Sequence, residues 1–102
     1  MAVKTITLKN FEQEVLHSSK PILLDFWATW CGPCQMMSPV VDEVSNQRDD
    51  IAVGKINVDE EPELANAFQI VSIPTLIVME NGKPKAQSVG FVEKEAVLNL
   101  LK

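Results

Sequence analysis

The run Ile22-Leu23-Leu24-Asp25-Phe26-Trp27 is apolar at every position but one. A strand with one wet face alternates apolar and polar side chains. A run that is apolar almost throughout must be covered on both faces, as strands inside a parallel sheet are. Such a strand calls for helices on either side of its sheet, and the rest of the chain has the matching pattern. Residues 3–8 alternate, Ile6 and Leu8 against Thr5 and Thr7, which predicts a short strand. Asn10 reads as a helix N-cap with Gln13 three residues on, and Phe11, Val15 and Leu16 as the apolar stripe of a helix to about Ser18. Met36, Met37, Val40, Val41 and Val44 fall at helical spacing as far as Arg48 and are read as core, with Pro39 expected to kink that helix.

Ile51 to Val58 predicts the next strand. Pro62 suits the first turn of a helix, where Glu60, Glu61 and Glu63 favour the dipole and Leu64, Ala65 and Phe68 form the buried stripe. Thr75 to Met79 reads as a strand, Asn81-Gly82 as a hairpin turn, residues 83–89 as the returning strand, and Ala96, Val97, Leu100 and Leu101 as a closing helix. The order β-α-β-α-β-α-β-β-α predicts an α/β fold. Its first half is parallel, and a terminal antiparallel hairpin joins the same sheet. The whole of residues 1–102 is expected to be one domain.

The formal net charge of −5 argues against nucleic acid or anionic lipid as partner, since both need a basic face. The apolar stretches Ile22 to Trp30 and Val71 to Met79 are too short to span a bilayer, and the first residues lack the apolar core of a secretory signal. The expectation is a cytoplasmic monomer that binds neither membrane nor nucleic acid.

The chain has two cysteines, Cys31 and Cys34, in Trp30-Cys31-Gly32-Pro33-Cys34. The segment follows a buried strand and opens a helix. Unpaired N–H groups and the dipole at a helix start stabilise a negative charge, so a thiol there ionises more readily. Cys31, just outside the first turn, is the candidate nucleophile. Cys34, inside it, is expected to be more buried and to act as resolving thiol. Gly32 permits tight backbone geometry and Pro33 presets φ for the helix. The predicted chemistry is exchange through a mixed disulfide. A zinc site would need about four ligands, and only the distant His17 could add to the pair, unless a dimer shares the site. A structural disulfide across so short a loop adds little chain entropy. A copper carrier of CxxC type is disfavoured by Trp30 and Pro33.

The segment Asp25-Phe26-Trp27-Ala28-Thr29-Trp30-Cys31-Gly32-Pro33-Cys34, then Pro39, Ile73-Pro74-Thr75-Leu76, Asn81-Gly82 and Gly90, resembles the thioredoxin family over essentially the whole chain. The resemblance implies a five-stranded mixed sheet flanked by four helices. It implies a protein-disulfide reductase recharged by an NADPH-dependent thioredoxin reductase or, in some settings, by ferredoxin. Ribonucleotide reductase and peroxiredoxin are the kinds of substrate it suggests. No cofactor is expected beyond the Cys31–Cys34 pair, because NADPH is used by the partner, and no metal. Three positions depart from the commonest family pattern. Gln35 stands where a basic residue is frequent, Ser72 where glycine is, and Phe91 follows Gly90.

Asp25 interrupts an apolar strand, where burial raises a carboxyl's pKa. It is the candidate proton acceptor for the Cys34 thiol, relayed by water, and the resemblance supports that role. Lys55, on the neighbouring predicted strand, is a candidate to pair with Asp25 and tune it. The resemblance implies a cis bond before Pro74, facing the cysteines and keeping metal out. The backbone of Ile73 would pair with an extended substrate. Trp30 is expected on the exposed rim, Trp27 beneath the loop, and Gly90 beside the substrate backbone. The rival reading is a module of the same fold that docks a partner regardless of redox state.

Overall fold

A computed structural model describes residues 3–102; Met1 and Ala2 lie outside the described residues. Five strands form one mixed sheet: Lys4–Thr5 (β1), Ile22–Trp27 (β2), Ala52–Asn57 (β3), Thr75–Glu80 (β4) and Lys83–Val89 (β5). Their spatial order is β1-β3-β2-β4-β5. β3 pairs in parallel with β1 and β2, while β4 runs antiparallel to β2 and β5. The helical segments are a π-helical turn at Glu12–Leu16 and α-helices Gly32–Gln47 (α1), Pro62–Ala67 (α2) and Lys94–Leu100 (α3).

β2 lies at the centre of the sheet, as its near-continuous apolar run demands. Its alternate residues enter two cores. Ile22, Leu24 and Phe26 pack with Ile6, Val15, Ile56, Leu64 and Met79 on one face. Leu23 packs with Met37, Val41 and Val44 of α1, Val97 of α3 and Leu101 just past its end on the other. Alternation then places Asp25 on Leu23's face, beneath α1. Gly54 is required on the first face. A Cβ there would lie 2.6 Å from Ile6 Cγ1, so only glycine lets β3 pass Ile6 at that spacing.

Several local expectations are corrected. β1 has ladder pairing only at Lys4 and Thr5, not along residues 3–8. Asn10 does not cap a helix. Its Oδ1 accepts the Thr7 N–H at 2.7 Å and its Nδ2 donates to the Thr5 carbonyl at 2.9 Å, so the side chain closes the turn behind it instead. The segment after it is a π-helical turn, with Val15 buried and Leu16 exposed. Met36 is 59% exposed and is not core, whereas Met37 is fully buried. α1 continues past Pro39 to Gln47, with proline leaving the Gln35 carbonyl without its N–H.

Asn81 and Gly82 both have positive φ, 55° and 76°, the geometry of a tight hairpin turn that matches strand twist. The register of β4 on β5 slips between Val78 and Met79. The outer strand β5 carries Lys83, Pro84 and Lys85, all exposed. Among the described residues no helix is long and apolar enough to cross a membrane.

Candidate functional site

The site forms where β2 ends and α1 begins. Cys31 is the N-cap of α1, with extended backbone (φ −94°, ψ 110°). Its Sγ accepts the backbone N–H of Cys34 at 3.1 Å, and its carbonyl accepts that of Gln35 at 3.3 Å. The sulfur thus occupies the place an N-cap oxygen ordinarily takes, against one of the free donors of the first turn. Pro33 stands in that turn, where its missing N–H removes no helical bond. Cys31 and Cys34 are joined by a disulfide, their Cα atoms 5.2 Å apart. Cys34 is the more buried of the two, as expected, but in this oxidised state the difference is small. The two residues are 5% and 3% exposed, and it is the cap geometry that sets Cys31 apart.

Ala28 and the two cysteines form a small apolar cluster, with Trp27, Val58 and Ile73 packed against it. The Ile73–Pro74 bond is cis, and the Ile73 carbonyl oxygen lies 3.8 Å from Cys31 Sγ. Pro74 is buried, and its carbonyl accepts the Gly90 N–H at 2.8 Å, which joins the β5 end to the same loop. Gly90 has φ 92°, and a Cβ there would meet nothing within 4 Å. Backbone conformation, not lack of space, selects glycine here.

Trp30 is 69% exposed, yet its indole is fixed: Nε1 donates to Asp59 Oδ2 at 2.7 Å. Asp59 is in turn held by Asn57, whose Oδ1 accepts the N–H groups of Asp59 and Glu60. Gln35 donates from Nε2 to the Thr29 carbonyl at 3.1 Å. It ties the first turn of α1 to the loop before it.

Beneath the disulfide is a cavity of about 330 Å³ lined by Asp25, Trp27, Ala28, Cys34, Ser38 and Lys55. Asp25 is 1% exposed, and its Oδ1 has no hydrogen-bond partner among the described residues. Burial pushes its carboxyl up from 3.8 to about 6; the Lys55 ammonium draws it down and the Asp42 carboxylate draws it up. Lys55 is Asp25's register partner between β2 and β3. Its direct contacts, however, are with α1: Nζ donates to Ser38 Oγ and lies 3.8 Å from Asp42 Oδ1. The expected contact pair of Lys55 with Asp25 is therefore corrected to an influence at longer range.

The structure brings together Cys31, Cys34, Asp25, Lys55, Gly32, Pro33, Trp30, Ile73 and Pro74, with Gly90 tethered alongside. Sequence reasoning missed Ser38, Asp42, Asn57 and Asp59. The first two were detectable as polar positions at i+4 and i+8 from Cys34 on one helix. Asn57 had the signal of an Asx turn two residues before Asp59. Among the described residues no group of three or more His, Cys, Asp or Glu side chains could hold a metal ion.

A family model described as Thioredoxin matches residues 2–102. The thioredoxin of Mycobacterium tuberculosis is 50% identical over 97 residues, covering 94% of this chain and 84% of that protein. The thioredoxin of Alicyclobacillus acidocaldarius is 48% identical over 95 residues, covering 92% and 90%. A bifunctional thioredoxin reductase/thioredoxin of Mycobacterium leprae is 50% identical over 94 residues, 91% of this chain and 20% of that longer protein.

Proposed function

Because this chain belongs to the thioredoxin family of thiol-disulfide oxidoreductases, we propose that it works as a protein-disulfide reductase with Cys31 as nucleophile and Cys34 as resolving thiol. The observation that carries the assignment of roles is the N-cap position of Cys31, whose sulfur takes the Cys34 N–H. When the pair is reduced, the same donor and the start of α1 stabilise a Cys31 thiolate. That thiolate attacks one sulfur of a substrate disulfide. A Cys31–substrate bond forms, the substrate S–S bond breaks, and the second substrate sulfur leaves as thiolate. Cys34 then gives its proton to Asp25, through water, and attacks Cys31 Sγ. The mixed disulfide breaks, substrate leaves fully reduced, and two electrons have passed to it from the Cys31–Cys34 pair.

Asp25 suits the acceptor role because it is a carboxylate in the cavity that Cys34 also lines, raised by burial to about 6 and so a stronger base than an exposed one. Ile73, whose carbonyl approaches Cys31, is placed to pair with an extended substrate backbone, with Pro74 shaping the loop, Gly90 beside it and Trp30 on the rim. A thioredoxin reductase is the proposed electron donor, supported by the relative in which reductase and thioredoxin share one chain. NADPH is consumed by that partner, and this chain carries no cofactor of its own. Ribonucleotide reductase and peroxiredoxin are proposed as substrate classes, and the cytoplasm as location, with the chain acting as monomer.

The test is the pair of single cysteine variants. Cys34→Ser accumulates a mixed disulfide with a protein substrate, seen by mass spectrometry, whereas Cys31→Ser accumulates none. Trapping by Cys31→Ser instead reverses the roles, and wild-type reduction rates in both variants remove the proposal.

A further inference from the structure

Cys34, Ser38 and Asp42 recur at i, i+4 and i+8 of α1, which stacks them on one stripe of the helix. The stripe faces β3, where Lys55 stands beside Asp25 in parallel register. The Lys55 ammonium has two sources of negative charge or lone pairs within its surroundings: the buried Asp25 carboxylate, and the oxygens of α1. Its Nζ bonds to α1, donating to Ser38 Oγ and lying 3.8 Å from Asp42 Oδ1, while Asp25 Oδ1 has no hydrogen-bond partner among the described residues.

We propose that Ser38, with Asp42, is a positioning residue for the exchange reaction: it anchors the Lys55 ammonium to α1 and so leaves the Asp25 carboxylate free of a contact ion pair and able to take a proton. A carboxylate in contact with an ammonium is held in its charged form and accepts a proton poorly. A hydroxyl is a neutral anchor. It fixes the ammonium without cancelling its charge, so Asp25 feels Lys55 as a moderate, longer-range pull rather than a clamp. The groups facing Asp25 are few. β3 presents Lys55; α1 presents Cys34, Ser38 and Asp42; β4 presents Leu76, an apolar register partner. Moving one ammonium therefore changes the main electrostatic influence on the carboxyl.

The inference rests on the reading of Asp25 as proton acceptor, but its first readout does not. In the oxidised protein the two thiols do not titrate, and the Asp25 carboxyl can be followed by ¹³C NMR against pH. Ser38→Ala releases Lys55 toward Asp25, and the midpoint falls below the wild-type value of about 6. Ser38→Thr, which keeps the hydroxyl, retains the wild-type midpoint. In a Lys55→Met background Ser38→Ala has no effect, because nothing remains to be anchored. An unchanged midpoint in Ser38→Ala, or an equal fall with Lys55 absent, overturns the proposal. If Ser38→Ala does not fold, Asp42→Asn with and without Lys55→Met makes the same comparison: a fall that is smaller without Lys55 supports the anchor, and equal falls overturn it. The pH profile of the resolving step moves with the midpoint. A midpoint that moves while resolution stays constant removes the role of Asp25, and leaves the anchoring of Lys55 standing.

Discussion

Replacing Asp25 with asparagine changes how stability depends on pH, and the size of the change follows from the buried carboxyl. Burial raises that carboxyl from 3.8 to about 6. The folded protein therefore binds this proton more tightly than the unfolded chain does, and between the two values the native state carries more of it. Stability falls as pH rises through that window, because the slope follows the protons bound in the unfolded state minus those bound in the native one. Below 3.8 both states are protonated and the group costs nothing; above about 6 the full cost is present. The gap between 3.8 and about 6, at about 1.4 kcal/mol per pH unit, amounts to about 3 kcal/mol. Asparagine has nearly the same shape and no charge. Its amide has a desolvation cost of its own, about 1–3 kcal/mol, but that cost does not titrate. The difference in unfolding free energy, Asp25→Asn minus wild type, should thus rise by about 3 kcal/mol between about pH 3.5 and about pH 7.5, whatever its absolute value. Urea unfolding of both oxidised proteins, followed by the fluorescence of Trp27 and Trp30, measures it at a series of pH values. A difference constant to within about 0.5 kcal/mol across that range would refute the reasoning.

Asp25→Asn should also slow the resolving step more than the first attack, which rapid mixing of reduced protein with a disulfide substrate resolves; equal slowing of both steps contradicts the acceptor role. Gly54→Ala drives a Cβ against Ile6 Cγ1 at 2.6 Å and should lower stability by about 1–3 kcal/mol, read as a lower urea midpoint at unchanged slope. Asn57→Ala removes the acceptor for the Asp59 and Glu60 N–H groups; a loss of about 1 kcal/mol is expected, together with greater mobility of the Trp30 indole by NMR relaxation.

Much of this fold was legible because β2 has no polar face and so had to lie in the interior of a sheet covered on both sides, and because Asn81-Gly82 marks its hairpin unambiguously. The readings failed where local signals compete. Asn10 has the chemistry of a helix cap, but its side chain is equally able to close the preceding turn, and it does. Met36 and Met37 share one hydropathy, yet neighbours on a helix are about 100° apart, so one enters the core and the other meets water. Within the site, the cysteines and Asp25 could be named because each stands out from its surroundings in sequence, thiols at a helix start and a carboxylate in an apolar strand, whereas a proline at a strand start is ordinary and the part of Pro74 came from the family resemblance. Ser38 and Asp42 violate nothing on the surface of a helix. Their part emerges only when the register sets Lys55 opposite them.

The sheet's two margins differ from its centre in what they offer a passing unfolded chain. One margin is the two-residue β1; the other is β5, with Lys83, Pro84 and Lys85 and a slipped register behind it. Proline offers no donor, the lysines repel a second copy, and the irregularity twists the rim out of line. The sheet is thereby a poor template for amyloid-like stacking, and the protein should stay dispersed at concentrations where a flat, apolar rim would seed fibres.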